Sequence, residues 1–360
     1  MRGEAVFLYA FDVADELLTS RLPPRLLGQP ITRFAVQTGH TAPRDVPLIQ
    51  PFAVALPPLP LGEAGQQVRR EVRLYSVGVI SVLLRVAFQA AELEELTTWH
   101  RPKLADGRDF DALAQELCEQ VRAELLPLLV QSVAPSAPEA YTVFCLTELD
   151  GAADAVRWCT ERRRAVAGLL TETPAEHLSE MQVSEVWRIS RSYLHTDLTV
   201  IDWDAALIVD LEGYTDDVLF VLELANLQLE EFRALDQRLD RDLDRLYLEL
   251  DRPRPWWLGG GGQQLRLVRR YRIDLAKLSD EVTHITKFLG DWHLARVYLG
   301  ARERFYLDQW RQSVSQRLAQ LDDLYSVAHS EANELRMLWL EAAIVLLFIL
   351  DVALILWGHR

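Results

Sequence analysis

The chain has 360 residues, a formal net charge of −15 and 49% hydrophobic residues, which allows two domains or one domain with an extended helical part. So acidic a composition excludes nucleic acid as an expected partner, because binding phosphates needs a basic face. The three cysteines, Cys118, Cys145 and Cys159, are odd in number and lack CxxC spacing. That argues against a disulfide framework or a cysteine zinc site and fits a reducing cytoplasm.

At the start, the apolar run AVFLYAF (5–11) meets Asp12, Asp15 and Glu16. It is too short for a secretory signal and too acidic for a mitochondrial transit peptide. Residues 1–212 read as an α+β head domain. Its strand-like runs are 5–11, 72–88, 140–149 and 197–211, and its helix-like runs are 90–99, 111–132 and 155–170. The proline-rich stretch 42–60 is expected to be an extended loop or an edge segment.

Two groups in this head could carry chemistry. YLHTD places Tyr193, His195 and Asp197 on one face if extended, and IDWDA sets Asp202 near Asp204. A histidine among carboxylates has the makings of a general base, so His195, Asp197, Asp202 and Asp204 are the candidate catalytic residues. The bland alternative is the polar face of a sheet edge, which such loose spacing favours. No cofactor or metal is expected: HExxH, a Rossmann fingerprint, G-x-S-x-G and a phosphate loop are all missing. DRDLD (240–244) opens like a calcium loop, but its sixth position is Arg245 where glycine is needed.

Residues 213–336 read as a coiled-coil helical region. Three heptad runs carry it, Phe232 to Leu250, Val268 to Trp292 and Trp310 to Trp339. The loop RPRPWWLGGGGQQ (252–264) separates the first two, and an antiparallel three-helix arrangement, itself a route to a homo-oligomer, is expected.

The stretch 337–358 reads as a single C-terminal transmembrane helix. From Leu338 to Trp357, 13 of 20 residues are Leu, Ile, Val or Phe, and a helix of that length matches a bilayer core of about 30 Å. Trp339 and Trp357 bracket it as interface aromatics do, while Glu341 and Asp351 lie off-centre, so membrane or oligomer contacts are expected at these four residues. The reading is thus a tail-anchored, single-pass membrane protein with its head in the cytoplasm. It would be a non-catalytic scaffold or tether whose partners are the lipid bilayer and further copies of itself. The rivals are an enzyme of unknown class acting in the head, and a soluble regulator with a buried C-terminal helix.

One resemblance supports the membrane plan. Leu340-Glu341 leads through Ile344, Val345 and Leu347 to Asp351-Val352, with the second acid ten residues after the first. Tyr75-Ser76-Val77-Gly78-Val79-Ile80-Ser81-Val82 forms a glycine-containing strand pattern. In both segments the chain resembles, as a distant bacterial relative, the family required for meiotic nuclear division, though Ala342 and Ala343 replace that family's usual Trp and Ile, and Asp351 stands for Glu. The resemblance implies a membrane-attached head with coiled-coil helices, and it implies no catalytic residues.

Overall fold

The computed structural model describes residues 1–34, 50–61, 66–135, 137–250, 269–276 and 291–357, excluding the side chains of 246, 249–250, 325, 327–336 and 351–357. Two compact units emerge. One comprises Met1–Phe232 and Asp280–Trp310, the other Arg233–Ser279 and Arg311–Arg360.

The first unit is built on one mixed sheet of nine strands. In chain order these are β1 (Arg2–Asp12), β2 (Thr32–Arg33), β3 (Phe52–Leu61), β4 (Gln66–Leu74), β5 (Val79–Gln89), β6 (Glu139–Glu148), β7 (Ser190–Arg191), β8 (Asp197–Ile201) and β9 (Ala205–Asp210). Their order across the sheet is β7-β8-β9-β6-β1-β5-β4-β3-β2. All neighbours run antiparallel except β6 and β9, which are parallel. The central strands are covered on both faces, so they read as unbroken apolar runs; every residue of β9 (AALIVD) is buried.

On one face lie Phe7, Phe11, Val82, Leu84, Phe144 and Leu207, all part of the main core. They are covered by α1 (Phe110–Leu125), α2 (Ala155–Glu161), α3 (Arg163–Leu170) and α4 (Glu180–Val186). α1 begins where Asp109 caps it by accepting from the Ala112 N–H at 2.8 Å. It buries Phe110, Leu113, Ala114, Leu117, Cys118 and Val121, the three-and-four spacing of an amphipathic helix. Phe110 meets Phe7 edge-on at 4.9 Å.

The opposite face presents Val6, Leu8, Leu83, Val143 and Ile208, which are also buried. The first half of α5 (Thr215–Leu250) and all of α6 (Trp292–Arg304) cover it. Residues 218–232 of α5 are almost all buried, so this stretch has no solvent face. α6 fits closely because Gly300 leaves room for Ile189, whose Cγ2 would lie 2.9 Å from an added Cβ.

Several runs read as single elements are divided. The 72–88 run is the end of β4, a turn at Tyr75–Gly78 and β5, with Gly78 at φ 84°. The 197–211 run is a hairpin, β8 and β9, turning at 202–204. The 155–170 helix breaks at Arg162. Residues 93–100 form a 3-10 segment where a helix is expected. Prolines 57, 58 and 60 sit in β3, near the sheet edge, where a missing N–H costs least.

In the second unit, helix packs on helix. Leu235, Leu239, Leu243, Tyr271, Val314, Leu318 and Leu321 are buried. Ion pairs flank them, Arg317 with Asp236 and Asp240 and Arg272 with Asp322. The loop 252–264 and most of the second heptad run lie outside the described residues.

The final helix, α7 (Leu307–Trp357), is continuous over 51 residues. Among the described residues no helix is long and apolar enough to cross a membrane. That corrects the expected transmembrane helix over 337–358, and with it the single-pass anchor, the membrane tether and the cytoplasmic-head topology. The apolar stretch with described side chains runs from Met337 to Leu350. The fold is therefore a mixed nine-stranded sheet with helices on both faces and a second, helical unit, in place of an α+β head, stalk and membrane span.

Candidate functional site

The four candidate catalytic residues lie near one side of the sheet but go to different surroundings. His195 is exposed, and its contribution is its carbonyl, which accepts from the Ala155 N–H at 2.8 Å as α2 begins. The Asp197 carboxylate accepts from the Tyr193 and Leu194 N–H groups, which tightens the turn into β8. It also lies 3.6 Å from His293 Nε2 at the start of α6, and the His293 ring sits 5.8 Å from that of Tyr193.

Asp202 is buried, 3.5 Å from Arg304 Nη1. Burial pushes its carboxyl above the usual range, and the Arg304 charge works against that shift. Arg304 itself donates to the Ile201 carbonyl at 3.1 Å and to Glu185 Oε1 at 2.9 Å, so it clamps α6 to β8 and α4. Asp204 is pushed up by burial and by Glu172, with His100 opposing. His100 is lowered by burial; its Nε2 lies 2.6 Å from the Leu169 carbonyl and its Nδ1 3.4 Å from Glu172.

Asp202 and Asp204 feel each other's charge, but His195 and Asp197 are engaged elsewhere, and no shared acid–base constellation forms. Among the described residues no group of three or more His, Cys, Asp or Glu could hold a metal ion. In the DRDLD stretch, Asp240 pairs with Arg317 and Asp242 accepts from the Tyr271 hydroxyl, so these acids serve helix packing.

Sequence reasoning missed the ionic layer between the sheet and α5. Along β4, Arg69, Glu71, Arg73 and the following Tyr75 face α5 while Val68, Val72 and Leu74 face the main core. Arg73 is 2% exposed; its Nη1 pairs with Glu223 of α5, also 2% exposed, and its Nε donates to Glu71 at 2.6 Å. The Phe34 ring lies 3.8 Å from the guanidinium carbon. Burial works against the Arg73 charge, but Glu223 and Glu71 overcome it and hold the group protonated. Burial first, then Glu223, pushes the Tyr75 hydroxyl well above the phenol range. A second bridge joins Arg85 to Glu4 at 2.9 Å and to Asp216 at 2.7 Å. The available signal was Glu223 itself, an acid inside the apolar run FVLELANL (220–227), since a buried charge demands a buried partner.

The far end of α7 is the remaining unusual surface. Between Met337 and Leu350, eleven large apolar side chains are 52–72% exposed, Trp339 among them at 52%. Glu341 is also exposed within this tract. The side chains of Asp351 and Trp357 lie outside the described residues.

Comparison with known proteins adds a family. The chain is 25% identical over 249 residues to the uncharacterized protein MJ0711 of Methanocaldococcus jannaschii, covering 67% of this chain and 73% of that protein. No solved structure matches. The family model for the N-terminal domain of the uncharacterized protein MJ0711 matches residues 2–215, which takes in all nine strands and the four helices of the main core. A match over more than half the chain, coinciding with the whole sheet, makes this protein a member of the MJ0711 N-terminal domain family.

Proposed function

We propose that this protein is a self-assembling protein whose copies join through the distal end of α7. The observation that carries the proposal is the exposed apolar tract from Met337 to Leu350. At roughly 90 Å² per side chain, it amounts to on the order of 1,000 Å², beyond the 300–600 Å² patch of a typical monomer. A second copy pairing along these four turns would bury about 1,000 Å² in total, the lower edge of a specific interface. Because apolar side chains lie on every side of the tract, interrupted only by Glu341, further copies could add to the pair.

A second copy is the favoured occupant because the same helix already packs in this manner upstream. Leu318 and Leu321 are buried in the second unit, and their three-and-four spacing continues in register through Trp339, Ala342, Leu346 and Ile349. A catalytic reading of the head lacks comparable support, since Asp197 and Asp202 are held by separate partners. A buried regulatory helix is opposed by the exposure of the tract.

Sedimentation equilibrium of the full chain tests this. The wild type is expected to rise above its 41.2 kDa monomer mass with concentration. A Leu346→Asp/Ile349→Asp variant should stay monomeric with unchanged melting, because the substitutions lie away from either core. A wild type that is monomeric throughout, or that binds lipid vesicles as a monomer in place of its own copies, overturns the proposal.

A further inference from the structure

We propose that two copies join antiparallel along the seam of Trp339, Ala342, Leu346 and Ile349, so that each Ala342 seats against Leu346 of the second copy and each Trp339 against Ile349. This geometry rests on the self-assembly reading above and names the partner shape the tract fits. All four residues are exposed, Trp339, Leu346 and Ile349 by 52–66%. They recur at steps of three and four, so they lie along one side of α7.

Layer volumes decide the direction. In a parallel pair each seam residue faces its own counterpart. Two tryptophans then crowd one layer, while the next holds only two alanine methyls and leaves a void. In an antiparallel pair centred on Ile344, Trp339 faces Ile349 and Ala342 faces Leu346. Every layer then combines a larger with a smaller side chain, which fills the seam evenly. The centred register is also the one that sets all four residues opposite one another. The sequence repeats the alternation on both flanks, with Ala332 and Leu335 before the tract and Ala353 and Leu356 after it. In the same register position 332 meets 356 and position 335 meets 353, again alanine with leucine. Such a pair is isologous: one face serves both copies, and the seam closes on itself.

The test uses full-length chains carrying Ala342→Cys or Leu346→Cys, alone and mixed in equal amounts, with the wild type as control. The native thiols Cys118, Cys145 and Cys159 are buried. Association is followed by sedimentation, and mild oxidation with non-reducing electrophoresis then reveals disulfide-linked pairs. Linked dimer is expected in the mixture alone. Within either single variant the two cysteines are offset by about 6 Å along the axis in addition to the lateral gap, which carries their Cα atoms past the ~7 Å limit of a disulfide. Two further variants lie off the seam and leave its packing intact. Nitroxides on Met337→Cys, offset between copies by about 21 Å along the axis, should be farther apart than nitroxides on Ile344→Cys, which have no offset. Linked dimer within a single variant, none in an associated mixture, or equal distances for the two nitroxide pairs overturns the antiparallel seam and leaves self-assembly standing. If the wild type does not associate at any concentration, self-assembly itself fails, and the seam with it.

Discussion

At the residue scale, the Arg73–Glu223 pair shows how a charge survives where water scarcely reaches. Removing Arg73 strands the buried Glu223 carboxylate, so Arg73→Met is expected to cost about 3–5 kcal/mol in denaturant unfolding, while Glu223→Gln should cost less because Glu71 still pairs with the guanidinium. Replacing both, as Arg73→Met/Glu223→Leu, should recover part of that loss, because neither buried charge is then left unpaired, while the buried Tyr75 hydroxyl loses Glu223 beside it. Asp204 makes the opposite case. Its folded-state carboxyl binds a proton more tightly than in the unfolded chain, because burial and Glu172 disfavour its charge. The ionised group therefore weakens the fold at neutral pH, and the penalty disappears as pH falls through its raised titration. Asp204→Asn should stabilise the fold near neutrality by less than about 1 kcal/mol, since water still reaches the group, and thermal unfolding should show the gain fading in acid. Neither effect was legible beforehand. YLHTD and IDWDA advertised chemistry through residue type, yet their carboxylates serve turns and clamps, while VRREVRL concealed a buried arginine behind an ordinary alternation.

At the element scale, glycines divide what composition runs together. The stretch 72–88 looks like one long strand because every residue but a few is apolar or β-branched, and Gly78 alone turns it. An added Cβ there would lie 2.0 Å from the Ala14 carbonyl oxygen, at φ 84°. Gly78→Ala is expected to cost more than about 2 kcal/mol. Gly28 has φ 75° but nothing within 4 Å, so Gly28→Ala should cost only about 1 kcal/mol. Thermal unfolding of the two variants measures the difference between strain alone and strain with a collision. Strand existence was readable, since 5–11 falls within β1 and 140–149 overlaps all but one residue of its length with β6. Strand order was not. The parallel pairing of β6 with β9 joins segments separated by three helices and a hairpin, and periodicity carries no information about such distant partners.

At the scale of the whole molecule, the long helix α7 misled because hydrophobic length means different things in lipid and in a protein assembly. The run 338–357 satisfies a count of apolar residues, but a count does not say what covers them. Dilution is the discriminating measurement: an assembled protein should show a mass that falls toward the monomer as concentration drops, and raised salt should strengthen it modestly because apolar contact dominates.

The discontinuity of the first unit has a consequence for synthesis. Residues up to 232 and the segment 291–310 belong to one body, yet a ribosome makes them roughly sixty residues apart, about 3–12 s at ~5–20 residues per second. During that interval Tyr141 lacks Phe305, its edge-on neighbour at 5.0 Å, and the Gln228 side chain lacks the Tyr298 hydroxyl that donates to it. The nascent sheet thus waits with one side open until α6 emerges, and a messenger truncated between codons 232 and 291 should yield a product that chaperones retain or proteases remove.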